Sequence, residues 1–438
     1  MSRINKAPKT LQSIKAIVEK IRSGVLDADE IIDVTRNLIA KYDGDIKAWK
    51  TLDWYQVKKQ YKELLSRPNW RSLPLAAVPI AVKDVYDTSN FVTSYGSKIY
   101  DQHQPVADAD LVTVLRTLGA IVIGKTVTTE FAYWQAGPTV NPYDRSRTPG
   151  GSSSGSAAAV AAGMVPLALG SQTAASTIRP ASYCGIIGFK PSLDLLSIKG
   201  VKPLSPSLDT IGLFVRSIGD LIVVVNALLT ENNYMQASSN HNSKPISDLV
   251  LSSLTGSWDT KVASVCTEAV TECRSIAISN GCNYDGVIEF LDFDKLTNDQ
   301  TALMAAEAVE SFNFELQTAH NELSHHIKAL VSEGQGLKAE TKACFQETQT
   351  KIDEYEERLF GNSDILICPS TTDTAPALKD GTGSPLMCRA FTLLGLPSLS
   401  LPYGLDANGM PVGVQVVARR GADMPLLLFA EKYLIKSY

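Results

Sequence analysis

The 438-residue chain has no excess of basic residues: 41 Lys and Arg stand against 46 Asp and Glu, a net charge of −5. That excludes the basic footprint with which proteins hold nucleic acid or an anionic membrane surface. Long apolar runs are missing too. No terminal stretch reaches the ~18 residues of a bilayer span. The opening "MSRINKAPKTLQSIKAIVEKIRSG" is amphipathic, not a basic head followed by an apolar block, so no secretory signal is expected. The seven cysteines (Cys184, Cys266, Cys273, Cys282, Cys344, Cys368 and Cys388) show no CxxC spacing. An odd, dispersed set predicts reduced thiols in a cytoplasm, not a disulfide framework. Histidine is scarce, with five in all, which narrows the choice of general base.

What is present is a 44% hydrophobic, 20% charged chain, able to bury a large core. Apolar residues at helical spacing predict helices over Leu11–Ser23 and Asp27–Tyr42, the second with acids in its first turn. From Pro74 the period changes. "LPLAAVPIAVKDVY" and "AIVIGKT" read as buried strands, with the helix "DADLVTVLRTLGA" between them. Such alternation predicts an α/β fold with a largely parallel sheet. "SDILICPS" and "LPSLSLPYG" read as two further strands, and "PLLLFAEKYLIKS" as a final helix. Residues 231–353 read as a variable, mostly helical elaboration, with one long helix over Ala302–Glu333. No Pro/Gly linker sets that segment apart, so one domain over 1–438 is expected.

One stretch carries the chemistry: "TPGGSSSGSAAAVAAGMVPLALGSQTAASTIRPASYCG", from Thr148 to Gly185. Flexible Gly/Ser linkers have polar flanks, whereas these glycines run straight into small apolar residues suited to close helix packing. A phosphate cradle of the Walker type needs a Lys after its Gly, and there is none. "GSSSG", Gly151–Gly155, matches a nucleophile elbow centred on Ser153. That motif needs a preceding strand, but "NPYDRSRTP" reads as loop. The downstream histidines, His241, His320, His325 and His326, all fall in the variable segment. A lysine can replace histidine as base if burial keeps it neutral. Lys83, inside the apolar run "PIAVKDVYD", has that setting, and a second serine follows in "SQTAASTIR". Two buried serines and a buried lysine would make a proton relay from Lys83 through Ser152 to Ser176.

The chain resembles the amidase signature family. The signature stretch is joined by "GAIVIGKTVTTEFA", "GFKPS", "LDTIGLFVRSIGDL" and "LLGLPSLSLPYGLDANGMPVGVQVVARRG", so the resemblance spans nearly the whole chain. It implies a large twisted mixed β-sheet flanked by helices on both sides. It implies a catalytic Lys83, a bridging Ser152 on a cis peptide bond and a nucleophilic Ser176, the two serines at the family's usual spacing. The oxyanion hole falls on the backbone amides of Thr173, Ala174, Ala175 and Ser176. Two departures stand out: Gln172 replaces the family's Asp, and Ala174-Ala175 its Gly-Gly, whose added methyls are expected to crowd the hole. The "SQT…S-x-I-R-P-A" variant resembles the branch that includes malonamidase E2, which implies that Arg179 meets a substrate carboxylate. Tyr133, Trp134 and Gln172 are further candidates for substrate contact. The implied activity is hydrolysis of a small linear carboxamide through a Ser176 acyl-enzyme. No metal or organic cofactor is implied, because nucleophile and base are both protein groups. The expected partner is the small-molecule amide, not nucleic acid or membrane, and a homodimer is left open. Two alternatives stand beside this: the glutaminase (A) subunit of a tRNA-dependent amidotransferase, and a catalytically degenerate relic that only binds.

Overall fold

The computed structural model describes residues 13–231 and 244–435. Leu11, Gln12, His241, Lys436 and Ser437, named above in predicted helices or among the histidines, lie outside the described residues.

Among the described residues, eleven strands form a single mixed sheet. In chain order they are β1 (Trp49–Leu52), β2 (Pro79–Lys83), β3 (Ile121–Thr126), β4 (Leu167–Gln172), β5 (Ile187–Lys190), β6 (Thr210–Val215), β7 (Val250–Thr255), β8 (Asn283–Glu289), β9 (Ile365–Pro369), β10 (Ser398–Leu405) and β11 (Pro411–Ala418). Across the sheet the order is β1-β3-β2-β4-β6-β5-β10-β11-β9-β7-β8. Strand β2 runs parallel to both β3 and β4, and β7 parallel to both β8 and β9, while the pairings from β4 through β6, β5, β10 and β11 to β9 are antiparallel. The expected large mixed sheet with helical flanks is therefore present.

Central strands read as unbroken apolar runs because both faces are covered. Strand β9 shows how. Ile365 and Ile367 join one apolar cluster and Leu366 and Cys368 another, the alternation a pleated strand imposes. The first cluster takes in the helices Ile14–Arg22, Ser154–Ala161 and Ile218–Glu231; the second takes in Phe293–Ser311, His325–Gln335 and Leu386–Leu393.

The described part of the 231–353 segment is mostly helix, but it also holds two strands. It supplies β7 and β8 to the sheet as a parallel pair, with the Ser264–Ser279 helix between them. Strand β8 is an edge, alternately exposed and half-buried, and so lacked the apolar run that marked the central strands. The long helix expected over Ala302–Glu333 is three pieces: Phe293–Ser311, Asn313–Thr318 and His325–Gln335. Ser324 caps the last, accepting from Ile327 N at 3.4 Å, while its own amide donates to buried Glu130 at 3.1 Å. The chain then folds back so closely that a Cβ on Gly334 would sit 2.0 Å from Ala305 O. The final helix, Asp423–Phe429, likewise gives way to a π turn over Ala430–Leu434. No helix among the described residues is long and apolar enough to cross a membrane.

Candidate active site

Lys83 ends β2, and its side chain is completely buried. Its Nζ lies 2.7 Å from Ser152 Oγ and 2.8 Å from Ser171 Oγ. Burial, which penalises the ammonium form, pulls its pKa down to about 7, and the nearby carboxylate Asp209 opposes part of that fall. Asp209 is itself pushed up to about 6 by burial, although Thr173 Oγ1 (2.5 Å), Leu204 N (2.8 Å) and Ser205 N (3.0 Å) all donate to it. A neutral amine has two N–H groups and one lone pair. With one N–H spent on Ser171, the lone pair can accept the Ser152 proton. Ser171 was missed in the sequence. The only signal was its place at the end of an apolar run that must lie beside Lys83's strand, since β2 and β4 pair directly.

Ser152 precedes the Ser154–Ala161 helix and follows Gly151 across a cis peptide bond. Gly155, one turn further on, lies where a Cβ would come within 2.2 Å of Ala48 O, so the glycine belongs to close packing and not to a linker. Ser153, the centre of the elbow match, is fully buried and bonds to Ser171 backbone at 3.3 Å instead of presenting a nucleophile.

Ser176 leaves β4 on a short turn ahead of the Ile178–Cys184 helix. The carbonyls of this turn are tied back into the protein. Thr173 O accepts from Gln300 Nε2 (2.8 Å), Ala174 O from Thr392 Oγ1 (2.9 Å) and Ala175 O from Arg179 N (3.1 Å). The amides of Thr173, Ala174, Ala175 and Ser176 meet no protein acceptor among the described residues. Consecutive amides so released are the donor set a tetrahedral oxyanion needs. The alanines cause no backbone strain, because neither has a positive φ. Ala175 is 1% exposed and belongs to the apolar cluster that also holds Ile178, Leu204 and Leu208, while lining the cleft as well.

One cleft brings together Tyr133, Trp134, Ser152, Thr173, Ala174, Ala175, Ser176, Arg179 and Arg389. The candidates Tyr133 and Trp134 thus reach the site, Trp134 still 41% exposed. Ala132 and Trp134 of this rim, and the buried Phe131 just before them, all have positive φ, between 42° and 62°, a conformation costly for residues with side chains. Gln172 does not reach the cleft as expected. Its Oε1 accepts from Thr177 N (2.9 Å) and Ile178 N (3.1 Å), and its Nε2 donates to Thr392 Oγ1 (3.1 Å), so the amide is consumed in bracing the turn. Arg179 touches the cleft, but its guanidinium is committed to protein. Nη2 donates to Gly151 O (2.7 Å) and Thr382 Oγ1 (3.3 Å), Nη1 to Gly383 O, and Nε has no partner among the described residues. Sequence reasoning also missed Asp209, Gln300, Thr392 and Arg389, all remote from the signature. Among the described residues no three His, Cys, Asp or Glu side chains gather as metal ligands.

Residues 30–427 match the family model described as Amidase. Among known proteins, the glutamyl-tRNA(Gln) amidotransferase A-subunit of Natranaerobius thermophilus is 30% identical over 477 aligned positions, covering 97% of this chain and 94% of its own. A solved structure described as a vestigial protein complex that reveals the evolutionary origins of an s-triazine catabolic enzyme superposes with a TM-score of 0.83 at 26% identity, covering 97% of this chain and 100% of the other. The peptide amidase of Stenotrophomonas maltophilia shares the fold with a TM-score of 0.82 at 22% identity, over 98% of each chain.

Proposed function

The chain belongs to the Amidase family of enzymes acting on C–N bonds, and from that premise we propose that it is a free-standing hydrolase of small linear carboxamides. The observation that carries this reading is the completely buried Lys83, neutralised near pH 7 and 2.7 Å from Ser152 Oγ, beside a cleft that also holds Ser176.

In the proposed reaction Ser176 Oγ attacks the amide carbonyl carbon. Its proton passes to Ser152, and the Ser152 proton to Lys83 Nζ. The oxyanion settles against the free amides of residues 173–176. When the C–N bond breaks, the proton returns along the same path to the departing nitrogen, and ammonia or an amine leaves. Water then adds to the Ser176 ester, again giving its proton to the relay, and the carboxylic acid is released with Ser176 restored. None of the seven cysteines is in a disulfide and five are buried, which supports a reducing, cytoplasmic setting.

A second reading, the glutaminase component of a tRNA-dependent amidotransferase, is favoured by the sequence relatives, which bear that name. It predicts glutamine hydrolysis that depends on added partner proteins; the free-standing reading predicts turnover of small amides by the chain alone. A fluorophosphonate probe should label Ser176 in the wild-type protein and fail on Ser176→Ala. Absence of labelling in a folded wild-type protein would favour the binding relic over either enzyme.

A further inference from the structure

Arg389 lies on the Leu386–Leu393 helix and lines the cleft that holds Ser152 and Ser176. Its Nη1 donates to the neutral Oε1 of Gln300. Two other arginines nearby in sequence are paired, Arg419 with Glu357 and Arg420 with Glu356 and Asp353. Arg389 has no carboxylate at ion-pair distance among the described residues. A guanidinium offers five N–H donors in a planar fork that matches a carboxylate, and most of these are uncommitted here. Burial pulls its pKa down to about 10, with Tyr133 and Glu333 opposing the fall and Arg179 adding to it. The charge is thus costly where it stands, and an anion in the cleft would relieve that cost. Arg179 is a poorer candidate for this duty, since Gly151, Gly383 and Thr382 already occupy it.

Gln300 adds a second element. It is fully buried, accepts from Arg389 at one end and donates to Thr173 O at 2.8 Å from the other. The cation is therefore joined through one side chain to the first residue of the amide run.

We propose that Arg389 selects the substrate by gripping an acidic group on it, and that Gln300, as a positioning residue, ties this grip to the oxyanion amides. The proposal rests on the amidase reading for its substrate, but not for its binding site. An acidic amide gains affinity from the fork and also holds Gln300, and through it Thr173, in register for the reaction. The preference then shows in kcat as well as in KM. Lysine cannot replace the fork, because it offers a point charge.

The test uses succinamate and its neutral counterpart butyramide with the whole chain. The wild-type protein should favour succinamate in kcat/KM by about tenfold or more. Arg389→Gln should lower the acid-to-neutral ratio at least about tenfold, and Arg389→Lys should restore it only in part. Gln300→Leu should lower kcat on succinamate more than it raises KM. A wild-type enzyme indifferent to the acid, or equal losses on both amides in Arg389→Gln, would overturn the proposal. Should Arg389→Gln not fold, Arg389→Lys decides, and an unchanged ratio in the folded lysine variant counts against the fork. Succinate titrated calorimetrically into Ser176→Ala separates the two claims. Binding that Arg389→Lys weakens upholds the anion site even if neither amide is hydrolysed, a result that would count against the amidase reading alone. No succinate binding overturns the anion site whatever the hydrolysis shows.

Discussion

If Lys83 is the base, the rate of acylation must follow its neutral fraction. A lysine at the ordinary 10.5 is neutral about one time in 3,000 at pH 7; at about 7 it is neutral about half the time. Burial therefore multiplies the competent form by about 1,500 at neutral pH. The sign follows from the chemistry. Protonated Lys83 cannot accept, so kcat/KM falls as pH falls through about 7, close to tenfold per unit, and is level above it. Asp209 modifies the lower part of the curve. It titrates near 6, and its negative charge is what holds Lys83 up. As Asp209 takes a proton, Lys83 becomes easier to neutralise, so the descent below about pH 6 should be shallower than one decade per unit. Asp209→Asn should move the whole acid limb to lower pH. Ammonia release measured from pH 5 to 10.5 under kcat/KM conditions, with far-UV circular dichroism confirming the folded state at each point, gives the profile. A rate still climbing tenfold per unit beyond pH 10 would mean that Lys83 is an ordinary lysine, and near-normal turnover by Lys83→Ala would refute the relay.

Ser171→Ala removes the acceptor that orients the Lys83 amine; kcat should fall by about 10–100-fold with the fold intact, and an unaffected kcat would show that Ser152 alone orients it. Arg179→Ala leaves the buried Gly151 carbonyl and the half-buried Gly383 carbonyl without their donor, at about 1–3 kcal/mol for the first and less for the second; urea unfolding should register the loss, with acidic and neutral amides losing activity together, whereas selective loss on the acid would return carboxylate recognition to Arg179. Gly155→Ala drives a Cβ to 2.2 Å from Ala48 O and 2.5 Å from Val127 N, both backbone; a destabilisation of about 1–3 kcal/mol or more is expected, and an unchanged urea midpoint would contradict the packing account of the signature glycines.

What could be read from the sequence was local. The apolar runs over Pro79–Lys83 and Ile121–Thr126 announce central strands because burial on both faces removes polar alternation. Strand β8 escaped for the converse reason: an edge strand has no such run, and its exposed Asn283, Asp285 and Glu289 look like loop. The break after Ser311 escaped because helical periodicity continues past it, while the pieces are fixed from outside by Glu130 and by the close approach of Gly334 to Ala305.

The candidate site divides in the same way. Lys83, Ser152 and Ser176 could be named because their neighbours in sequence create their environment: an apolar strand, a glycine turn, a second turn. Gln172 stood in the right stretch but could not be assigned, since whether an amide faces the cleft or braces the turn depends on Thr392, 220 residues away. The amide run from Thr173 to Ser176 is free to donate because Gln300 and Thr392 hold its carbonyls from helices that the signature does not contain. Arg389 reaches the cleft from the same late helix. On the proposed mechanism the signature would encode the bond-breaking groups, while Gln300 and Thr392 on distant helices restrain its turn and Arg389 on the later one would bring the charge that meets the substrate. This division separates two kinds of variant. Changes at Lys83, Ser152 or Ser176 should lower the rate on every amide by one factor. Changes at Arg389, or at Gln300 which it contacts, should alter the ratio between amides because they act on the charge that meets the substrate, whereas changes at Thr392, which braces oxyanion donors every amide would use, should lower both alike.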